Sequence, residues 1–110
     1  MAGSTIITKQ NDTKIIFTDI PTIDGVPMLP TDLTGCTVKF AMKDPTGVIA
    51  PIKQVAVINA DGSFSYAPVA GDVANVGKFE QEWELTFPNG KELTFPNNGY
   101  NIIKILAELG

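Results

Sequence analysis

Glu80, Glu82 and Glu84 occupy every second position of residues 77–88, GKFEQEWELTFP, and Glu92 follows a short way beyond. On an extended chain that spacing sets successive carboxylates about 7 Å apart on one face. Such a row suits a pair of acid/base carboxylates for glycoside cleavage, or a cation site. It is also what a solvated sheet face carries, and no Asp/Asn-rich calcium loop accompanies it, so the solvated face is the expected reading. Lys39, Lys43 and Lys53 are available as cross-strand partners, each exposed pair contributing about 0.2–1 kcal/mol. Trp83, Tyr66, Phe95 and Tyr100 are the residues from which a sugar-stacking platform would be built. Trp83 runs in phase with Leu85 and Phe87, which predicts a core position instead. Exposure of Trp83 or Tyr100 beside a concave face would favour the sugar reading.

Other chemistry is sparse. The 110 residues contain one cysteine and no histidine, which removes the usual general base near neutral pH and the commonest metal ligand. Cys36 falls in phase with Val38, Phe40 and Met42 and is expected to be a small buried hydrophobe. No serine has a plausible base beside it, and no glycine-rich phosphate loop precedes a helix. The expectation is a protein with no catalytic centre, no metal and no cofactor. A net charge of −4 gives no footprint for phosphate backbones, so no nucleic-acid partner is expected. No basic leader followed by an apolar stretch opens the chain and no run is long enough to span a bilayer, so the expectation is a protein made and kept in the cytoplasm, with no membrane partner.

The elements that must position these residues read as strands. Phe79, Trp83, Leu85 and Phe87 stand on odd positions against charged or polar even ones, the period of two of a half-buried strand. Gln81 interrupts that row, which predicts a sheet end or an amide that finds a partner. Residues 37–43 alternate likewise, with Val38 and Phe40 inward, and Phe95 is expected to face the core beyond the Asn89-Gly90 turn, read as a two-residue hairpin loop. Further strands are predicted over 5–8, 14–20, 52–59 and 63–67, and over 100–106 in preference to a helix. Turns are expected at Asn11-Asp12, Asp44–Gly47, Ala60–Gly62 and Asn97–Gly99. The proline-rich residues 21–35 read as a long connection pinned by Leu29 and Leu33, and residues 68–76 as a loop with one helical turn. The length fits one domain over residues 1–110. Seven or eight short strands predict an all-β, Ig-like antiparallel sandwich.

The order DLTGCTVKFAMKDPTG, then VINADGSFSYAP, then AGDVANVGKFEQEWELTFPNGKELTFPNNGY covers about two thirds of the chain. It resembles the N-terminal domain of the upper baseplate proteins of tailed bacteriophages, whose members run DLTG, an alternating strand and D-x-x-G, and later AGxYxxEWEVTFxDGxxxTFP. The resemblance implies an Ig-like sandwich that is not an enzyme and that builds or attaches parts of a virion. It also implies other virion proteins as partners, and the virion, with the host cytoplasm during assembly, as location. Phe79 stands where the family often has tyrosine, which removes a hydroxyl able to tie the crossing loop to the strand. Larger family members continue into receptor-facing or trimerising regions, whereas this sequence stops at Gly110 and starts at Met1, so a small self-standing virion protein is expected. The alternatives are a carbohydrate-binding host-attachment module and a head-decoration or fibre-attachment protein.

Residues 5–20 carry apolar side chains on both faces, more than one half-buried strand needs. Ile6, Ile7, Ile15 and Ile16, extended by Ile20 and Ile23, are therefore expected at a subunit contact, in a homo-oligomer or on a ring of the virion.

Overall fold

The structure, a computed structural model, describes residues 4–23, 25–96 and 99–107. Among them the chain forms eleven short strands: β1 (Thr5–Lys9), β2 (Phe17–Asp19), β3 (Thr22–Ile23), β4 (Val26–Pro27), β5 (Thr37–Lys43), β6 (Ile52–Val55), β7 (Val57–Ile58), β8 (Phe64–Tyr66), β9 (Gly77–Thr86), β10 (Glu92–Phe95) and β11 (Asn101–Leu106). The fold is all-β. The strand number exceeds the expected seven or eight because prolines and turn residues cut the apolar runs into two- and three-residue pieces. Among the described residues only the single turns Pro30–Leu33 and Ala70–Val73 are helical, both of 3-10 type.

The main sheet has the order β1-β11-β9-β5-β6, and β10 also pairs with β9. β9 is its spine. One flank of β9 is taken by β5, from Thr37 opposite Thr86 to Lys43 opposite Glu80. The other flank is shared: β11 pairs with residues 77–81 and β10 with residues 83–86. The expectation of a wholly antiparallel sandwich is corrected at the edge, where β1 runs parallel to β11. A second sheet, β2-β8-β7, is antiparallel. The chain passes from one sheet to the other at Ala56, whose N–H donates to the Val38 carbonyl at 2.9 Å.

The two sheets face each other across one aromatic core. Phe40 of β5 stacks on Phe17 of β2 and on Tyr66 of β8, with ring centroids 5.3 and 4.4 Å away. Phe64 of β8 tilts against Trp83 and Phe95. Val38, Phe40, Phe79, Trp83, Leu85 and Phe95 are all buried. Phe87 differs from its expected core position. β9 ends at Thr86 and Pro88 turns the chain away, so Phe87 is half-buried at the margin. Cys36, just before β5, is likewise half-buried rather than enclosed, and what desolvation it meets pushes its thiol upward. Leu33 packs inward from the first 3-10 turn, but Leu29 is exposed.

Each 3-10 turn is closed by an aspartate. Asp32 accepts from the Leu29 N–H and Asp72 from the Val69 N–H, both at 3.0 Å. Asp72 also accepts from the Tyr66 hydroxyl at 2.6 Å. The crossing loop is thus tied to the second sheet by Tyr66, which supplies the hydroxyl that Phe79 lacks. The loop between β9 and β10 is longer than the expected two-residue turn. Pro88 holds a negative φ, only Gly90 takes a positive one (86°), and the loop closes through Gly90 N–H to Phe87 O at 2.9 Å. Asn97 and Asn98 of the expected last turn lie outside the described residues.

Candidate functional site

Because β9 alternates strictly, its even-numbered side chains all stand on the outer face of the main sheet. Register then decides what each glutamate meets. Lys43 lies opposite Glu80, Ala41 opposite Glu82 and Lys39 opposite Glu84, and Lys53 of β6 lies opposite Ala41. Lys53 Nζ reaches diagonally to Glu84 Oε2 at 3.0 Å, and Lys43 Nζ stands 4.0 Å from Glu80 Oε1. The bond to Glu84 holds the Lys53 ammonium above its ordinary range. Glu82 is left between two ion pairs without one of its own among the described residues. Desolvation first, and the neighbouring Glu84 carboxylate second, raise its carboxyl above the ordinary range.

Glu82 also marks a break in the sheet. It is the single residue of β9 between the segment paired with β11 and the segment paired with β10. The small Ala41 side chain lowers the floor beside it. The result is a cleft of about 300 Å³ lined by Ala41, Lys43, Lys53, Glu80, Glu82, Glu84 and Tyr100, with Pro51 and Ile52 along the β6 side. Tyr100, immediately before β11, is 41% exposed at its wall. Glu92 takes no part, since it pairs with Thr86 at the far end of β9. The arrangement offers hydrogen-bond donors and acceptors side by side, one carboxyl that protonates more readily than usual, and one partly exposed tyrosine. Among the described residues, no group of three or more His, Cys, Asp or Glu side chains is set to hold a metal ion.

The other candidate aromatics are elsewhere. Trp83 is 1% exposed, Tyr66 and Phe95 are buried, and the Trp83 indole N–H has no hydrogen-bond partner among the described residues. No sugar platform forms around Trp83. On the inner face Gln81, whose place in an apolar row signalled a partnered amide, accepts from Asn101 Nδ2 at 2.8 Å. The same Asn101 amide donates to Asp19 Oδ2 at 3.0 Å, and its oxygen accepts from the Ser4 N–H at 3.0 Å. Asn101 could have been suspected from its phase with Ile103 and Ile105, but its partners in β2 and β9 lie far off in sequence.

The six isoleucines expected at a subunit contact do not form one strip. Ile6 alternates inward beside Thr8, and Ile15 also packs against the core, so both are corrected to core-margin positions. Ile7 is exposed on the outer face of the main sheet, opposite Lys104. Ile16 and Ile20 flank β2, and Ile23 lies in the β3–β4 hairpin directly across from Val26; all three are exposed. Val26 and Leu29, which period-based reading did not single out, are exposed nearby in sequence at 66% and 63%.

These features define an all-β protein of two facing sheets with a charged cleft on the outside of the larger one. No protein-family model matches the chain, and no curated protein matches it. Among the described residues no helix is long and apolar enough to cross a membrane.

Proposed function

We propose that this chain is a non-enzymatic structural domain of a tailed-bacteriophage particle, at the tail or baseplate, which works through protein–protein contacts and self-association. Its place is the virion, with the host cytoplasm as the site of assembly. The observation that carries the assembly role is the β3–β4 hairpin. It pairs with neither sheet, and a free two-stranded hairpin is marginal in water. It nevertheless turns the cross-strand pair Ile23 and Val26 outward, with Ile20 and Leu29 exposed on either side. An exposed cross-strand pair of large apolar side chains on so slight a support is the mark of a surface that another chain covers. The address in the particle rests on the resemblance of the DLTG, D-x-x-G and EWELTF segments. Head decoration or fibre attachment would use the same surface and differ in address.

Light scattering on the full chain over a concentration series, with Ile23→Asp and Val26→Asp as variants, tests the assembly role. These positions are exposed, so the variants keep the far-ultraviolet and Trp83 signals of the native monomer. The expected result is an oligomer, or a complex with particle proteins, that both variants dissolve. A full-length chain that stays monomeric at high micromolar concentration and binds no particle protein overturns the proposal.

A further inference from the structure

The outer-face cleft has no role in that assembly reading, and its lining has a chemistry of its own. We propose that it is a binding site for an uncharged or amino-substituted sugar ring of a glycan, held by stacking on Tyr100 and by hydrogen bonds to the Lys53–Glu84 pair and Glu82. A pyranose presents a patch of C–H bonds on one face and a rim of hydroxyls, each of which both donates and accepts. The cleft answers each part. Tyr100 lines the wall and is partly exposed there, and aromatic faces suit C–H surfaces. Ala41 gives a recessed floor between Glu82 and Lys53. Lys53 and Glu84, 3.0 Å apart, set a donor beside an acceptor, the arrangement that neighbouring hydroxyls require. Because that pair is already joined, less side-chain freedom is lost when a ligand arrives. The cleft volume, about 300 Å³, stands at the lower end of the roughly 300–1,000 Å³ of small-molecule sites, which fits a single ring better than a long chain.

Charge narrows the class. Two lysines against three glutamates leave one net negative charge in the cleft, so uronic and other acidic sugars are repelled. Glu82, without an ion pair of its own among the described residues, is the group that an amino sugar or a pair of hydroxyls would engage. A cationic side chain from another protein would reach Glu82 too, but it would use neither the donors of Lys43 and Lys53 nor the shape of the floor.

The test is a titration of the full-length, isotope-labelled chain, followed by amide chemical shifts, with glucose, galactose, N-acetylglucosamine, glucosamine and, as anionic control, galacturonic acid. Shifts from at least one neutral or amino sugar are expected to centre on Ala41, Lys53, Glu82 and Tyr100, with galacturonic acid inert. Tyr100→Ala should weaken binding about tenfold, the size of a lost stacking ring, while Tyr100→Phe, which keeps the face, should retain it. Unchanged amide spectra away from the cleft will show that both variants fold. The proposal is overturned if no sugar moves these residues, if Tyr100→Ala binds like the native chain, or if arginine amide shifts the same residues more strongly than every sugar. Neither result bears on the hairpin, which is distinct in position and in test.

Discussion

Asn101→Ala should be among the most damaging polar substitutions in the protein, and the reason lies in three hydrogen bonds. Asn101 is 4% exposed and joins β11 to β9 through Gln81, to β2 through Asp19 and to the start of β1 through the Ser4 N–H. Alanine leaves the Gln81 side-chain oxygen buried without a donor, since that amide's nitrogen is already committed to the Glu82 carbonyl at 3.0 Å. A stranded buried acceptor costs about 1–3 kcal/mol. The bonds to Asp19 and Ser4 lie nearer solvent and add about 0.5–1.5 kcal/mol each. A loss of about 2–6 kcal/mol is therefore expected, against a domain stability of about 5–15 kcal/mol. Urea unfolding followed by the emission of Trp83, the single tryptophan, measures it. The double variant Gln81→Leu/Asn101→Leu removes both amides and should be more stable than Asn101→Ala, with a coupling of about 0.5–3 kcal/mol in the full cycle. A loss under about 1 kcal/mol for Asn101→Ala, or strict additivity in the cycle, would refute the idea that the amides act as a unit.

Trp83→Ala should cost about 3–5 kcal/mol, as deletions of large core aromatics do, whereas Trp83→Phe should cost much less because it also deletes an indole N–H that has no partner among the described residues. Thermal unfolding by circular dichroism separates the two, and acrylamide quenching of native Trp83 as efficient as that of free tryptophan would contradict its burial. Tyr66 loses its proton later than an ordinary tyrosine because it is desolvated and its hydroxyl donates to Asp72. A phenol whose folded pKa is raised stabilises the fold fully below its unfolded value of about 10 and progressively less as pH climbs above it. Tyr66→Phe should cost about 1.5–3 kcal/mol at neutral pH, the range for bonds to charged groups, and should flatten that alkaline decline. An unchanged decline in the variant assigns it to other groups.

Much of the main sheet was legible because local periodicity reports burial directly. Phe79, Trp83 and Leu85 hold one face of that alternation, and Gln81 in the same row leaves two outcomes open, a sheet end or a partnered amide, of which the structure takes the second. Periodicity says nothing about which distant strand becomes a neighbour. For that reason the parallel pairing of β1 with β11 was invisible, as was the sharing of one flank of β9 by β10 and β11. The apolar count over residues 5–20 puts isoleucine on both faces without saying which face meets the core: Ile6 turns inward from β1 and Ile7 outward, and Ile15 precedes a strand of only three residues, too short to carry a period. Val26 lies in a two-residue strand beyond that stretch, where periodicity has nothing to report. The glutamate row was readable as a row. The cleft was not, because its floor comes from Ala41 of another strand and its wall from Tyr100 at a corner where two strands meet.

The order in which the main sheet is completed has a consequence for synthesis. β1 has β11 as its ladder partner, and one flank of β9 consists of β10 and β11, so the pieces that close the sheet are residues 92–95 and 101–106. A ribosome adds about 5–20 residues per second, so β1 waits roughly 5–20 s for its partner to be made. During that interval Ile6, Ile103's eventual neighbour, has no strand to pair with, and one flank of β9 lacks its ladder partners once β9 itself is made. The main sheet therefore cannot close until residues 101–106 are available, and the chain is at its most aggregation-prone just before they are.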